Sequence, residues 1–160
     1  MAKEKRLGRI NKPPAEAGVA GESPAELKLL NQYVKDLSFE SPFAPKLTLL
    51  ESPGQTPRLQ TDVDVSVTSQ GENTHEVTVT IAIQARSDVA LIYHVEITYG
   101  GLFRISNMSN EILENVLVGE CPKLLFPSLR RVLADITYYG GYPPLMLDFG
   151  RLHGQTEVRV

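Results

Sequence analysis

The sequence predicts an α+β fold, in which a four-stranded antiparallel sheet carries helices packed on one side. Two observations lead to this prediction: apolar residues alternate with polar ones in four segments between residues 33 and 98, and they recur at helical spacing between residues 112 and 136. Because the strands come first and the helices after, the helices are expected on one side of an antiparallel sheet. The length of 160 residues fits one domain.

Residues 1–26 are predicted to be a disordered N-terminal extension, which leaves residues 27–160 as the folded domain. The extension is rich in Lys, Glu, Ala, Gly and Pro and lacks a hydrophobic period. Residues 1–12 hold five basic side chains and one acidic one, so they carry +4, and the net charge of −3 leaves −7 on the remainder. An acidic body argues against a nucleic-acid partner, whose phosphates require clustered Lys and Arg, and favours a partner with a basic face.

The first strand is predicted over residues 33–40. Its two faces are expected to hold Tyr33, Lys35, Leu37 and Phe39 on one side and Val34, Asp36, Ser38 and Glu40 on the other. The connection that follows, residues 42–57, contains four prolines, which exclude a central strand or helix. It should be long and extended, and its apolar side chains either fold back onto the domain or leave an apolar groove open to a partner.

Three further strands are predicted over residues 62–67, 77–84 and 91–98, where β-branched residues alternate with polar ones. Asp62 and Asp64 share one strand face, and we interpret that face as solvated, not as a catalytic acid and base. Turns are expected at residues 70–73 and 86–88. Gly100-Gly101 and Gly140-Gly141 are too sparse to cradle a phosphate and are also interpreted as turns.

Helical periodicity covers residues 112–117 and 129–136, on either side of a segment that begins Cys121-Pro122 and ends at Pro127. Proline is favourable in the first turn of a helix, so Pro122 suits a helix start, and Gly140 suits its end. Pro127 either kinks one helix or begins another, and the sequence leaves both alternatives open.

The sequence carries no motif for catalysis or for a cofactor. His75, His94 and His153 lie far apart, without a partner at metal-ligand spacing, so neither a metal nor a cofactor is expected and the protein is predicted not to be an enzyme. Cys121 lies among apolar residues and is interpreted as a buried structural thiol. A single cysteine suits a reducing compartment, and the chain lacks a signal-like or membrane-spanning apolar run, so a cytoplasmic protein without stable membrane insertion is expected.

Three motifs, in order along the chain, resemble those of the SecB family of protein-export chaperones. They are Tyr33-Val34-Lys35-Asp36-Leu37-Ser38-Phe39-Glu40, Tyr99-Gly100-Gly101-Leu102-Phe103 and Cys121-Pro122-Lys123-Leu124-Leu125-Phe126-Pro127. The resemblance implies an ATP-independent cytoplasmic chaperone, a homotetramer built as a dimer of dimers, which holds unfolded secretory precursor proteins and delivers them to the motor ATPase SecA. A related chaperone dedicated to a single client, such as an antitoxin, remains an open alternative.

The resemblance also implies two sets of site residues. Carboxylates on the exposed sheet face of family members contact SecA, and the matching positions here are Asp36, Glu40 and Glu96, with His94 at a neighbouring position that is usually apolar. The Pro-rich connection would supply groove residues for unfolded clients, namely Phe43, Leu47, Leu49 and Leu50. The region after Pro144 departs from the family pattern, so the final helix is expected to be shortened or absent, and an acidic tail is missing.

Overall fold

A computed structural model of the chain describes residues 23–42, 57–88, 90–148 and 150, and the backbone of residues 156–159. Its strands are β1 (Glu26–Glu40), β2 (Arg58–Gly71), β3 (Thr74–Arg86), β4 (Leu91–Ser106) and β5 (Thr156–Arg159). A short helix α1 (Asn110–Asn115) continues through a π-helical turn (Val116–Glu120) into the long helix α2 (Cys121–Tyr139).

The strands form one sheet in the order β1-β4-β3-β2-β5. The four long strands pair antiparallel, and the helices pack on one side of them, which confirms the predicted α+β architecture. The fifth strand was not predicted: its four residues pair parallel with Val63–Ser66 of β2 at one edge of the sheet. Residues 1–22 of the predicted extension lie outside the described residues, and Glu26 begins β1.

The core lies between the helices and one face of the sheet, which we call the helix face. Alternate residues of β3 and β4 are buried there, and α2 covers them with leucines at a four-residue spacing. These leucines, Leu125, Leu129 and Leu133, are each 0 % exposed. Complete burial of one such side chain contributes about 1.5–3 kcal/mol, so this row holds the helix on the sheet.

Helix α2 resolves the alternative that the sequence left open at Pro127, because one helix continues through that residue. Pro122 lies in its first turn and Gly140 is its C-cap, as predicted. The π-helical turn ends at Glu120, and the N–H of Cys121, the first residue of α2, donates to the carbonyl oxygen of Val116. An internal proline costs about 3 kcal/mol, and the burial of Leu125 and Phe126 beside Pro127 offsets that cost.

The interpretation of Gly100-Gly101 as a turn is wrong, because both residues lie in the middle of β4. Their side-chain positions lie on opposite faces of the sheet. A Cβ added at Gly101 would lie 2.5 Å from Leu125 Cδ2, and one added at Gly100 would lie 2.8 Å from Tyr33 Cε2. Each glycine therefore makes room for one large side chain to cross the strand. Gly140-Gly141 does form a turn, after α2, and Gly141 has a positive φ of 86°.

The predicted alternation of β1 is also wrong in part, because the strand contains irregularities at Leu30 and Lys35. Val34 pairs with Tyr99 and Asp36 pairs with Thr98, so Lys35 is an extra residue in a β-bulge. Side chains change faces at that point. Tyr33 and Lys35 consequently share a face with Asp36, whereas Leu37 and Phe39 lie on the helix face.

Candidate functional site

The face of the sheet opposite the helices, here called the polar face, is the candidate site. Residues paired directly across antiparallel strands share a face, so the register identifies its members. Each of the four long strands contributes polar side chains to the region, and these are Asp36, Ser38, Glu40, Gln60, Asp62, Asp64, Thr80, Gln84, His94, Glu96 and Thr98. The region therefore carries five carboxylates and one imidazole.

The four residues expected to contact a partner lie together on this face. Glu40 of β1 pairs directly with His94 of β4, and Asp36 pairs with Thr98. Glu96 lies between these two positions on β4, opposite Ser38. Directly paired side chains have Cβ atoms about 4.5–5.5 Å apart, so the four positions form one patch on two adjacent strands.

The carboxylates of this patch are available to a partner. Asp36 and Glu40 are exposed, and Glu96 is partly exposed. Within the described residues, none of these three carboxylates has a salt bridge or a side-chain hydrogen bond. Because their charges are not compensated there, the patch attracts a surface that carries Lys or Arg.

Asp62 and Asp64 extend the acidic character to β2, on the far side of β3. Asp62 pairs with Ala82, which in turn pairs with Glu96, so one row of the sheet connects these two acidic residues. Asp62 is exposed, in agreement with the solvated face expected from the sequence. The signal that could have placed them in the candidate site is their alternation with buried Val63 and Val65.

A polar cluster beside the patch was missed in the sequence, and we call it the Tyr33 cluster. It consists of Tyr33 and Lys35 on β1 and Glu76 on β3, which are separated by β4. The Tyr33 hydroxyl donates to Glu76 Oε1 at 2.7 Å, and Lys35 Nζ lies 3.0 Å from Glu76 Oε2. Both side chains of β1 pass over Gly100, whose missing side chain leaves the space.

The cluster changes the acidity of its members. The hydrogen bond from Tyr33 lowers the pKa of Glu76, with a further contribution from Lys35, against the opposing effect of burial. The same hydrogen bond, with burial, raises the pKa of Tyr33 to about 12. Glu76 is therefore ionised and Tyr33 is a neutral donor at neutral pH.

The predicted groove residues Phe43, Leu47, Leu49 and Leu50 lie outside the described residues. The described chain just before them is anchored: Phe39 stacks on Tyr93 with ring centroids 5.8 Å apart, and the Ser41 hydroxyl contacts the Tyr142 hydroxyl. Tyr142 also donates to the carbonyl oxygen of Ile92 at 3.2 Å. The connection therefore leaves the sheet from an ordered aromatic cluster at the end of β1.

Apolar side chains are exposed on β1 and on the helices. Val34 and Leu37, on the helix face of β1, are 43 % and 37 % exposed. On the helices Ile112, Leu124 and Tyr138 are also exposed. Because β1 ends the sheet on its side, its outer backbone groups have no strand partner within the described part of the chain.

Cys121 is buried at the start of α2, as predicted. Burial raises the pKa of its thiol to about 12, with a smaller contribution from Glu120. A thiol with that pKa is protonated at neutral pH and is a poor nucleophile. Among the described residues, no three His, Cys, Asp or Glu side chains are grouped so as to hold a metal ion, and no helix is long and apolar enough to cross a membrane.

Comparison with known proteins identifies the family. The family model described as preprotein translocase subunit SecB matches residues 20–157. The protein-export protein SecB of Maricaulis maris is 43 % identical over 136 residues, which cover 85 % of this chain and 78 % of the relative. The SecB of Parvibaculum lavamentivorans is 45 % identical over 128 residues, which cover 80 % of this chain and 74 % of the relative.

A solved structure has the same fold at low sequence identity. It is the Mycobacterium tuberculosis Rv1957 SecB-like chaperone in complex with a ChAD peptide from the Rv1956 HigA1 antitoxin. The two chains superpose with a TM-score of 0.63 and 15 % identity, over 77 % of this chain and 90 % of the other. On the family model and the two relatives, this chain belongs to the SecB family of protein-export chaperones.

Proposed function

We propose that the protein is an ATP-independent cytoplasmic chaperone that binds unfolded secretory precursors and delivers them to the SecA motor. The observation that carries the SecA contact is the patch of uncompensated carboxylates at Asp36, Glu40 and Glu96, on the sheet face opposite the helices that the structure describes. Carboxylates of this kind bind a basic surface reversibly and accelerate encounter. His94, which pairs with Glu40, belongs to the same proposed SecA-binding surface.

Clients are held elsewhere, by apolar surface. Unfolded chains expose apolar segments, so a groove lined by apolar side chains binds them without reading a specific sequence. We assign this role to Phe43, Leu47, Leu49 and Leu50, in the connection that follows the aromatic cluster of Phe39, Tyr93 and Tyr142. The acidic patch and the apolar groove thus separate the two partners, and a client can stay bound while SecA docks.

Assembly as a homotetramer, a dimer of dimers, is part of the proposal. Within the part of the chain that the structure describes, the outer edge of β1 has no strand partner and Val34 and Leu37 beside it are exposed, and a second copy would cover both features. Light scattering tests the assembly, since four chains of 17.7 kDa have a mass that is well separated from one or two. A monomer at micromolar concentration would count against it.

The SecA contact is tested by charge reversal. We expect the triple variant Asp36→Lys, Glu40→Lys, Glu96→Lys to bind SecA at least about tenfold more weakly than the native chain, because three attractive contacts become repulsive. The matched control is Glu111→Lys, Glu114→Lys, Asp148→Lys, which changes the net charge equally at exposed residues away from the polar face. Equal loss in both variants, or loss in neither, would refute the assignment.

A second candidate is a chaperone dedicated to one client. It is favoured only by the fold it shares with the Rv1957 chaperone, which was solved with an antitoxin peptide. The relatives of higher identity are protein-export proteins, and they favour the first candidate. Capture of clients on the purified protein separates the two: many secretory precursors support export, whereas one dominant small protein supports the dedicated chaperone.

A further inference from the structure

The Tyr33 cluster lies at the second of the two irregularities of the first strand, the one immediately before the acidic patch. Lys35 is the extra residue of the bulge, so Asp36 pairs with Thr98 and the patch that follows lies on the polar face. Two side chains on this face, that of Lys35 in the bulge and that of Tyr33 just before it, both bind Glu76. Because β4 lies between β1 and β3, the contacts from Tyr33 and Lys35 to Glu76 both cross β4.

Glu76 is partly buried and lies on an inner strand, so its carboxylate is held in place for the two side chains that bind it. Its side chain is only 12 % exposed, whereas that of Lys35 is 43 % exposed. It belongs to β3, one of the two inner strands among the four long ones, which pairs with β4 on one side and β2 on the other. β1, in contrast, pairs only with β4 among the described residues, and the extra residue at Lys35 interrupts that pairing. The side-chain bonds from Tyr33 and Lys35 to β3 compensate for the interruption of the backbone hydrogen bonds between β1 and β4.

Gly100 is the feature that makes these bonds possible. It lies on β4 directly between Tyr33 and Thr78 in the register. A Cβ there would meet the Tyr33 ring at 2.8 Å and Lys35 Cδ at 3.4 Å. A Cβ at this position would require the Tyr33 ring to shift, whereas Lys35 Cδ would be near ordinary contact distance, so the missing side chain chiefly lets the Tyr33 ring lie close to β4.

We propose that the Tyr33 cluster is a clamp that holds the bulge at Lys35 and so positions Asp36 and Glu40 for the partner that binds the acidic patch. Tyr33, Lys35 and Glu76 are positioning residues: they act through the carboxylates and need not touch the partner. The positioning role rests on the proposed function, because it requires the contact with SecA. The claim that the cluster holds the bulge rests on the geometry alone.

The test uses Tyr33→Phe in the full-length protein, because this change removes the hydroxyl, keeps the ring and leaves the charge unchanged. Loss of a hydrogen bond to a charged acceptor is expected to raise amide exchange of residues 33–37 by about tenfold. SecA affinity is expected to fall by up to about threefold, less than exchange rises, because only the fraction of molecules that present the patch correctly binds. Holding of an unfolded client should not change.

Tyr139→Phe is the matched control, since it removes the same hydroxyl group from a residue that is 82 % exposed at the end of α2, away from the polar face. It should leave both exchange at residues 33–37 and SecA affinity near their native values. Tyr33→Phe combined with Asp36→Asn supplies a readout that a merely structural role would not move. If the cluster acts through Asp36, the two losses of SecA affinity are not additive.

Three results overturn parts of this reasoning separately. Unchanged exchange at residues 33–37 in Tyr33→Phe overturns the clamp, whatever SecA does. Raised exchange with native SecA affinity, while Asp36→Asn alone weakens binding, overturns its positioning role. Native affinity in Asp36→Asn overturns the proposed SecA contact at that residue, and the exchange measurement still decides whether the cluster holds the bulge.

Discussion

The two consecutive glycines of β4 lead to a sharp prediction, because they are adjacent in sequence and face opposite environments. Gly101→Ala would put a Cβ 2.5 Å from Leu125 Cδ2 and 2.8 Å from Phe103 Cε2, and both of these side chains are completely buried. Gly100→Ala meets only the side chains of Tyr33 and Lys35, which are partly exposed, so a small shift of the Tyr33 ring accommodates the methyl group.

The expected magnitudes follow from packing. Inserting a methyl group into a close-packed core costs about 1–3 kcal/mol. Replacing glycine by alanine stabilises the protein by about 0.4–1 kcal/mol, because the unfolded chain has less conformational entropy to lose on folding. Neither glycine has a positive φ, so backbone strain adds nothing. We therefore expect Gly101→Ala to lower the free energy of unfolding by roughly 1–2 kcal/mol, and Gly100→Ala to change it by less than about 0.5 kcal/mol.

Urea unfolding followed by circular dichroism measures both values, at one fixed protein concentration because association contributes to stability. Leu125→Val provides a check on the cause, since the smaller side chain leaves space for the new methyl group. Gly101→Ala with Leu125→Val should be less destabilised than the sum of the single variants. Equal effects of the two glycine substitutions would refute the claim that one glycine lies under the helix and the other under the Tyr33 ring.

Three further predictions concern single side chains. Thr137 is buried, and its hydroxyl accepts from the Leu145 N–H at 3.0 Å, so Thr137→Val should cost about 1–3 kcal/mol in urea unfolding, with Thr137→Ser nearer native. Folding lowers the pKa of Glu76 from 4.5, so its contribution to stability is present above pH 4.5 and is lost as the pH falls through the folded pKa. Glu76→Gln should therefore make the free energy of unfolding less dependent on pH on the acid side. An unchanged pH dependence would contradict this. Cys121 should react with Ellman's reagent only on unfolding, and rapid reaction of the native protein would contradict its burial.

The central part of the fold was predictable because β3 and most of β4 alternate regularly between a buried and a partly solvated face. Val77, Val79, Ile81 and Ile83 show that period without interruption, and their burial matches it. Helix α2 was predictable in the same way from its apolar spacing. Periodicity alone could not decide whether the helix passes Pro127, because the answer depends on tertiary burial around the proline.

The remaining features depend on contacts between residues far apart in sequence. Gly100-Gly101 reads locally as a turn, and only the positions of Tyr33 and Leu125 on either side explain why it lies within a strand. β5 is a four-residue strand held by parallel pairing with β2, and so short a segment carries little local signal. The four positions proposed to contact SecA came from the family resemblance, and their grouping on one face follows from the register of β1 against β4.

The bulge at Lys35 explains how one short motif serves both faces of the sheet. If the strand alternated regularly after Tyr33, without a bulge, Leu37 and Phe39 would lie on the polar face. Asp36 and Glu40 would then point toward the helix face. Burying a carboxylate without a partner costs several kcal/mol, and Phe39 would lose its place against Tyr93 and Tyr142. One inserted residue reverses both outcomes. The aromatic anchor and the acidic patch can therefore lie on neighbouring residues of a single strand.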